Sequence, residues 1–149
     1  MKLLRVGEKG KEKPAILDSQ GKIRSLENYI NDFDANNLNF ETIKEIEKLD
    51  LKSLKEVDPS VRIGSCVKNP GKFIAIGLNY SDHAEESGMA IPKEPIIFQK
   101  ASSSITGPND NVILPEGSKK LDWEIELAFV VGKETKNITE AQAHEYILG

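Results

Sequence analysis

Apolar and polar side chains alternate over Leu121–Val131, which is read L-D-W-E-I-E-L-A-F-V-V. Side chains two apart on a strand share a face, so a strand here would have one wholly apolar face. That face would comprise Trp123, Ile125, Leu127, Phe129 and Val131. The pattern therefore predicts a strand with one face fit for a core.

The opposite face of this predicted strand begins with Glu124 and Glu126, whose Cα atoms would stand about 7 Å apart. Two carboxylates so close repel each other, and burial would raise the pKa of at least one unless a cation lay between them. A hard divalent metal such as Mg²⁺, Mn²⁺ or Ca²⁺ prefers carboxylate oxygens. The alternative is a half-exposed edge strand whose glutamates simply face water.

The sequence pattern up to residue 66 predicts a small domain in which no group of residues suggests chemistry. Short apolar runs separated by turn residues predict a β-meander with strands Lys2–Val6, Pro14–Leu17 and Lys22–Ser25. Apolar residues then recur at helical spacing from Leu38 to Leu49, with Asn39 as the N-cap. Residues 1–66 are predicted to form a small N-terminal domain, and residues 67–149 a second one.

A second candidate for chemistry follows the predicted strand Lys72–Leu78. Residues 79–88 suit a short helix capped by Ser81 or Asp82 and ended by a glycine. His83 and Glu86 are three apart on it and lie on the same face. A carboxylate beside an imidazole raises its basicity and fixes its tautomer, which makes a competent general base. The alternative is a solvated helix in a polar loop.

The remaining pattern predicts short strands at Ile96–Phe98 and Val112–Leu114. A final helix over Glu140–Leu148 would begin with a capping box between Thr139 and Gln142. His144 is expected to lie on the surface of that helix.

Composition narrows the class of protein. The 149 residues are 38% apolar and 30% charged, which is typical of a globular protein. The net charge of −4 gives no basic surface for nucleic acid or an anionic membrane. Cys66 is the sole cysteine, which excludes a disulfide framework. The N-terminus has no apolar run long enough for a signal peptide, so the cytoplasm is the expected location.

Taken in order, the motifs of the second half resemble the fumarylacetoacetate hydrolase family. They are Gly77-Leu78-Asn79-Tyr80, Asp82-His83-Ala84, Glu86, Pro95-Ile96-Ile97-Phe98-Gln99-Lys100, Gly107-Pro108, Pro115 and Asp122-Trp123-Glu124-Ile125-Glu126-Leu127. The resemblance covers about residues 72–149, and the leading segment is similar to the small first domain of bacterial members described as ureidoglycolate lyases or hydroxyheptadienedioate isomerases.

The resemblance implies roles for four residues and one further candidate. Glu124 and Glu126 match the glutamates that bind Mg²⁺ or Mn²⁺ in the family. His83 and Glu86 match a dyad on a mobile lid that activates water or moves a proton. Lys100, in a segment that lines the family's site, is the candidate for substrate binding. The implied enzyme is a hydrolase, lyase, decarboxylase or isomerase in which the metal stabilises the enolate of a 2-oxo acid or β-dicarbonyl substrate.

The resemblance also implies a fold: α+β, mainly β, forming the N-terminal part of a mixed β-sandwich roll after a small α/β domain. The family's third metal carboxylate, a catalytic lysine and most of the roll would follow Gly149, so the chain is expected to be a truncated form of a longer, homodimeric enzyme. Two alternatives stay open. One is a non-catalytic remnant that associates with a full-length subunit, and the other is an acid or sugar binder without a metal.

Overall fold

The computed structural model describes residues 1–149, and contacts divide them into two units. One unit comprises Met1–Lys68 and Thr106–Gly149, and the other is Asn69–Ile105. The domain boundary expected between residues 66 and 67 stays a prediction. None of the helices has the length and apolar composition that crossing a bilayer requires.

The first unit opens with the predicted β-meander. Strands β1 (Lys2–Val6), β2 (Lys13–Leu17) and β3 (Ile23–Ser25) form an antiparallel sheet in that order. The β2–β3 turn is fixed by Asp18, whose Oδ1 accepts hydrogen bonds from the backbone N–H groups of Gln20 and Lys22. Short alternating runs and an Asp-Ser-Gln-Gly turn are local signals, and the prediction of this meander is confirmed.

The predicted helix is α1 (Phe40–Glu47), and Asn39 is its N-cap. The Asn39 side-chain oxygen accepts from the Thr42 N–H at 2.9 Å, which satisfies one of the free donors of the first turn. A short 3₁₀ helix follows at Leu51–Ser53. Both the helix type and its cap agree with the sequence pattern.

Strand β2 lies between two apolar clusters because successive side chains point to opposite faces. Ile16 belongs to the larger cluster, which contains Leu26, Ile30, Phe33, Ile46 and Leu54. Its neighbour Ala15 belongs to the smaller cluster with Val6 and Ile23. The buried residues of both clusters therefore lie within residues 6–54, and partly buried side chains such as Leu3 and Ile63 pack against them.

The unit Asn69–Ile105 contains strands β4 (Ile74–Gly77) and β5 (Ile96–Gln99), which pair antiparallel. Between them lies helix α2 (Ser81–Glu86), and a 3₁₀ helix follows at Ser102–Ser104. Helix α2 begins after Tyr80, and no side chain caps it, so the predicted cap at Ser81 or Asp82 is wrong. The Asp82 carboxylate instead accepts from the adjacent His83 N–H at 2.9 Å.

Two predicted strands do not form. Residues 112–114 and 121–130 belong to no helix or strand, and the only pairing in this region is an isolated antiparallel bridge between Val131 and Ile147. A strand exists only when a second strand pairs with it, and the backbone pairing here is limited to residues 130–132 with residues 146–149. The predicted core face from Trp123 to Val131 is accordingly exposed.

The final helix is a 3₁₀ helix over Glu140–Tyr146, shorter and tighter than the predicted α-helix. The predicted contact at its start is present, because the Thr139 N–H donates to Gln142 Oε1 at 3.0 Å. Residues 146–149 then turn back against residues 130–132. The Val130 N–H donates to the Gly149 carbonyl, and the Leu148 N–H donates to the Val130 carbonyl, both at 2.8 Å.

Candidate functional site

Glu124 and Glu126 lie on the irregular segment 121–130, and both are exposed. The apolar residues that alternate with them are exposed too: 83% of Trp123 and 92% of Leu127 are accessible. Monomeric proteins rarely expose a run of large apolar side chains of this length, and such surfaces mark sites of association or ligand binding. The glutamates therefore lie within an exposed segment that is rich in large apolar side chains.

The chemistry of these two carboxylates fits a hard divalent cation in kind, since oxygen donors are what Mg²⁺ and Ca²⁺ prefer. The number of protein ligands, however, is too small for such an ion. No three or more His, Cys, Asp or Glu side chains anywhere in residues 1–149 are grouped so that they could hold a metal ion. Such an ion takes six or more oxygen ligands, so water or another polypeptide would supply most of them.

His83 and Glu86 lie on α2, three residues apart and on the same side of the helix. Both are exposed, and the buried residue of the helix is Ala84, which is 1% accessible. The Ser87 hydroxyl donates to the His83 carbonyl at 2.8 Å and closes the last turn. This short helix presents an imidazole and a carboxylate to solvent together.

Leu78 joins β4 to the segment that carries α2. The sequence pattern gives no indication that its backbone conformation is unusual. Its φ is +47°, in the left-handed region that non-glycine residues seldom adopt. A bulky side chain in that region costs on the order of 1–3 kcal/mol and is often found where a functional segment is held in a fixed direction. A leucine at this position gives no local signal of such a turn.

Lys100 directly follows β5, and its backbone N–H donates to the Phe73 carbonyl at 2.8 Å. Its Nζ lies 5.6 Å from the centre of the Phe98 ring, within the range of a cation–π contact. The ammonium is thus placed on the two-stranded sheet. Ser102–Ser104 form the 3₁₀ helix that follows, and the Ser104 hydroxyl donates to the Ala101 carbonyl.

The five predicted site residues fall in two groups. His83, Glu86 and Lys100 belong to the unit Asn69–Ile105, whereas Glu124 and Glu126 belong to the other unit. His83 and Glu86, which the sequence pattern paired, lie in the same unit, and so do Glu124 and Glu126. The union of the two groups in one site stays a prediction.

The strongest electrostatic perturbations lie in a group of charged residues that the sequence did not reveal. Hydrogen bonds from Arg62, Thr106 and the Gly107 N–H hold the pKa of Asp110 well below its ordinary value of 3.8. The same Asp110 contact raises the pKa of Arg62 above its usual range. Arg62 and Asp110 are 48 residues apart in sequence, and a pair so distant leaves no pattern along the chain.

Comparison with known proteins supports a family for the second half of the chain. The fumarylacetoacetate hydrolase C-terminal family matches residues 72–149. Over all 149 residues the chain is 49% identical to a protein of Burkholderia orbicola and to one of Burkholderia multivorans, both provisionally named hydrolases. The chain spans about half the length of these curated relatives, 53% in each case.

A solved structure has the same fold. A protein from Mycobacterium smegmatis, provisionally described as HpcE, superposes with a TM-score of 0.73 and is 33% identical in sequence. The superposition covers 99% of this chain and 52% of that protein. The small mixed α/β structure, rich in sheet and without a closed barrel, is thus similar to part of that larger protein.

Proposed function

Since the chain belongs to the fumarylacetoacetate hydrolase family, we propose that it takes part in divalent-metal-dependent chemistry on a 2-oxo acid or β-dicarbonyl substrate. The reaction would be C–C hydrolysis, lyase cleavage, decarboxylation or isomerisation, with ureidoglycolate lyase among the candidates. The observation that carries the proposal is the pair of exposed carboxylates, Glu124 and Glu126, two residues apart within the segment that matches the family.

Glu124 and Glu126 would hold the cation, Mg²⁺ or alternatively Mn²⁺ or Ca²⁺. When bound, it would supply Lewis-acid polarisation of the substrate's carbonyl oxygens. The two carboxylates contribute the negative charge that draws a hard cation from water. Their exposure leaves room for the water or substrate oxygens that complete its ligands.

His83 would act as the general base and Glu86 as the group that orients it. A carboxylate that accepts from one imidazole nitrogen leaves the other nitrogen free to take a proton from water or from the substrate. Both side chains are exposed on a helix of six residues, which suits a segment that orders over a substrate. Lys100 would offer its ammonium to the carboxylate of an oxo acid.

A binding experiment tests this assignment. Calorimetry with oxalate, a planar analogue of a 2-oxo acid enolate, is expected to show binding in the presence of Mg²⁺ and none without it. Glu124→Gln/Glu126→Gln should abolish the response. Equal oxalate binding with and without metal would contradict the proposal and favour a metal-independent acid binder.

Activity is tested with a panel of acylpyruvates, oxaloacetate and ureidoglycolate in the presence of Mg²⁺. Turnover that is lost in His83→Ala and kept in His144→Ala would support the dyad. His144 is a suitable control because it is the other histidine and is also exposed. Equal turnover by both variants would exclude His83 as the base.

The exposed apolar segment favours a second candidate, association with a full-length subunit of the same family. Residues 121–129 belong to no strand and present Trp123, Ile125 and Leu127 to solvent. Size-exclusion chromatography with light scattering tests this candidate: this chain, mixed with the Burkholderia orbicola relative, should elute in a common complex. Ile125→Asp/Leu127→Asp should abolish the complex, whereas a complex unaffected by those changes would exclude this surface.

A further inference from the structure

A continuous series of ion pairs joins the two points at which the chain leaves and re-enters the first unit. Lys68 is the last residue before the unit Asn69–Ile105, and Thr106 is the first residue after it. The residues that form the series are Lys68, Asp32, Arg5, Glu12, Arg62 and Asp110. Cations and anions alternate along it, so that every charge lies between or beside opposite charges.

The exit from the first unit is held by Asp32. Lys68 Nζ lies 3.0 Å from Asp32 Oδ2, and the Lys68 N–H donates to the Phe33 carbonyl at 2.8 Å. Asp32 also accepts from Arg5, at 2.6 Å from Nε and 3.0 Å from Nη2. Because Phe33 is fully buried, these two contacts fix Lys68 to the core of the unit.

The middle of the series is buried and ties β1 to the segment 62–64. Arg5 Nη2 lies 3.4 Å from Glu12 Oε2, and Arg62 Nη1 donates to Glu12 Oε1 at 2.8 Å. The Gly64 N–H donates to the Arg5 carbonyl at 2.7 Å. A side chain at position 64 would meet the Glu12 carboxylate, so glycine is required for this close approach.

The re-entry point is held by Arg62 and Asp110. Arg62 donates to both oxygens of Asp110, at 2.7 Å from Nε and 2.6 Å from Nη2, in a bidentate pair. Asp110 Oδ2 also accepts from the Thr106 hydroxyl at 2.6 Å and from the Gly107 N–H at 2.8 Å. One carboxylate therefore fixes the whole turn 106–110 against Arg62.

We propose that these six residues form an anchor for the two stems of the unit Asn69–Ile105, namely Lys68, where the chain leaves the first unit, and residues 106–110, where it re-enters that unit. Charges as buried as Arg5, Glu12 and Asp32 require every partner, because the loss of one leaves its neighbour uncompensated. The anchoring of the stems does not rest on the function proposed above.

Hydrogen exchange measured by mass spectrometry tests the anchor without metal, substrate or activity. In Arg62→Gln and in Asp110→Asn, amides of residues 69–105 are expected to exchange about tenfold faster, equivalent to ~1.4 kcal/mol of lost protection. Amides of α1, which is capped by Asn39 and packs through Ile46 on the larger cluster, should exchange at the wild-type rate. The double variant should resemble either single one, since the two side chains act as a unit.

Two further variants make the result specific. Arg62→Lys keeps the positive charge but loses the planar guanidinium that binds both oxygens of Asp110. It should retain part of the protection in residues 69–105, also if Arg62→Gln fails to fold. Lys22→Gln breaks the exposed pair between Lys22 and Glu56, at 2.9 Å, and should leave amide exchange in residues 69–105 unchanged.

Unchanged exchange in residues 69–105 of the Arg62 and Asp110 variants would overturn the proposal. So would an equal rise in α1, because the pair would then support the fold as a whole and not the stems. Failure of the wild type to bind oxalate or metal would overturn the proposed function and leave this exchange measurement unaffected.

Discussion

The guanidinium of Arg5 lies against the carboxylate of Asp32, with Arg5 Nε 2.6 Å from Asp32 Oδ1. Both side chains are buried, although they belong to parts of the chain 27 residues apart. Burial alone would raise the pKa of Asp32, but hydrogen bonds from Arg5 and Lys68 outweigh that effect and hold the pKa below its ordinary value. The pair joins the first strand to the loop that enters the core at Phe33.

Removing one member of this pair is expected to be costly. Asp32→Ala leaves Arg5 buried without its main partner, and the free energy of unfolding should fall by about 3–5 kcal/mol. Urea denaturation at neutral pH measures the change. The control is Glu27→Ala, which breaks an exposed contact with Lys13 at 3.9 Å and should change stability by less than about 1 kcal/mol. Equal effects of the two changes would contradict a structural role for the buried pair.

Stability should fall in acid because several carboxylates have lowered folded-state pKa values. The values of Asp32, Asp110 and Asp18 lie below the ordinary 3.8, and that of Glu12 lies below 4.5. A lowered folded pKa means that the unfolded chain binds protons first, so this stability is complete above the unfolded values and is lost as the pH falls through the folded ones. Urea midpoints should be constant from pH 7 to 5 and decline below about pH 4.5. A midpoint unchanged down to pH 3 would exclude this origin.

Gly107 is expected to tolerate no side chain. A Cβ there would overlap the Ile63 carbonyl oxygen and crowd Asp110. Gly107→Ala should therefore destabilise the protein by about 1–3 kcal/mol, the usual effect of overpacking. Gly71→Ala is the matched control, because a Cβ at position 71 meets no atom within 4 Å. Thermal melting distinguishes the two, and indistinguishable melting temperatures would contradict the close approach at Gly107.

Two leucines offer a direct comparison of buried and exposed apolar side chains. Leu26 is 0% accessible and lies in the larger cluster, whereas Leu127 is 92% accessible. Leu26→Ala should reduce the free energy of unfolding by about 2–5 kcal/mol, and Leu127→Ala should change it by less than about 0.5 kcal/mol. A large loss from Leu127→Ala in a monomeric sample would mean that residue 127 is buried in solution.

Local patterns were sufficient to predict the elements whose stability is decided locally. The meander β1–β3 and the cap of α1 at Asn39 follow from turn residues, spacing and a side chain that bonds its own helix. The family, and with it the fold class, could be predicted because the motifs occur in a fixed order over residues 72–149.

The sequence predicted poorly wherever the outcome depends on a distant neighbour. Leu121–Val131 has the alternation of a strand, but a pattern specifies only which face would be apolar and cannot provide the strand that pairs with it. The pair Arg62–Asp110 was missed because neither residue stands in a motif and only the folded chain brings them together. The predicted cap of α2 was wrong because the helix begins at Ser81. Asp82 therefore lies within the helix, where its carboxylate accepts from the His83 N–H.

Calorimetric titration with Mg²⁺ or Mn²⁺ tests most directly the proposed binding of a divalent cation by Glu124 and Glu126. The wild type is expected to bind weakly, with a dissociation constant of about 10⁻⁴–10⁻³ M, as suits a site with few protein ligands. Glu124→Ala/Glu126→Ala should abolish binding. Glu116→Ala/Glu134→Ala, which removes two exposed carboxylates outside the segment, should leave it intact. Absence of binding by the wild type, or equal binding by both double variants, would contradict the claim.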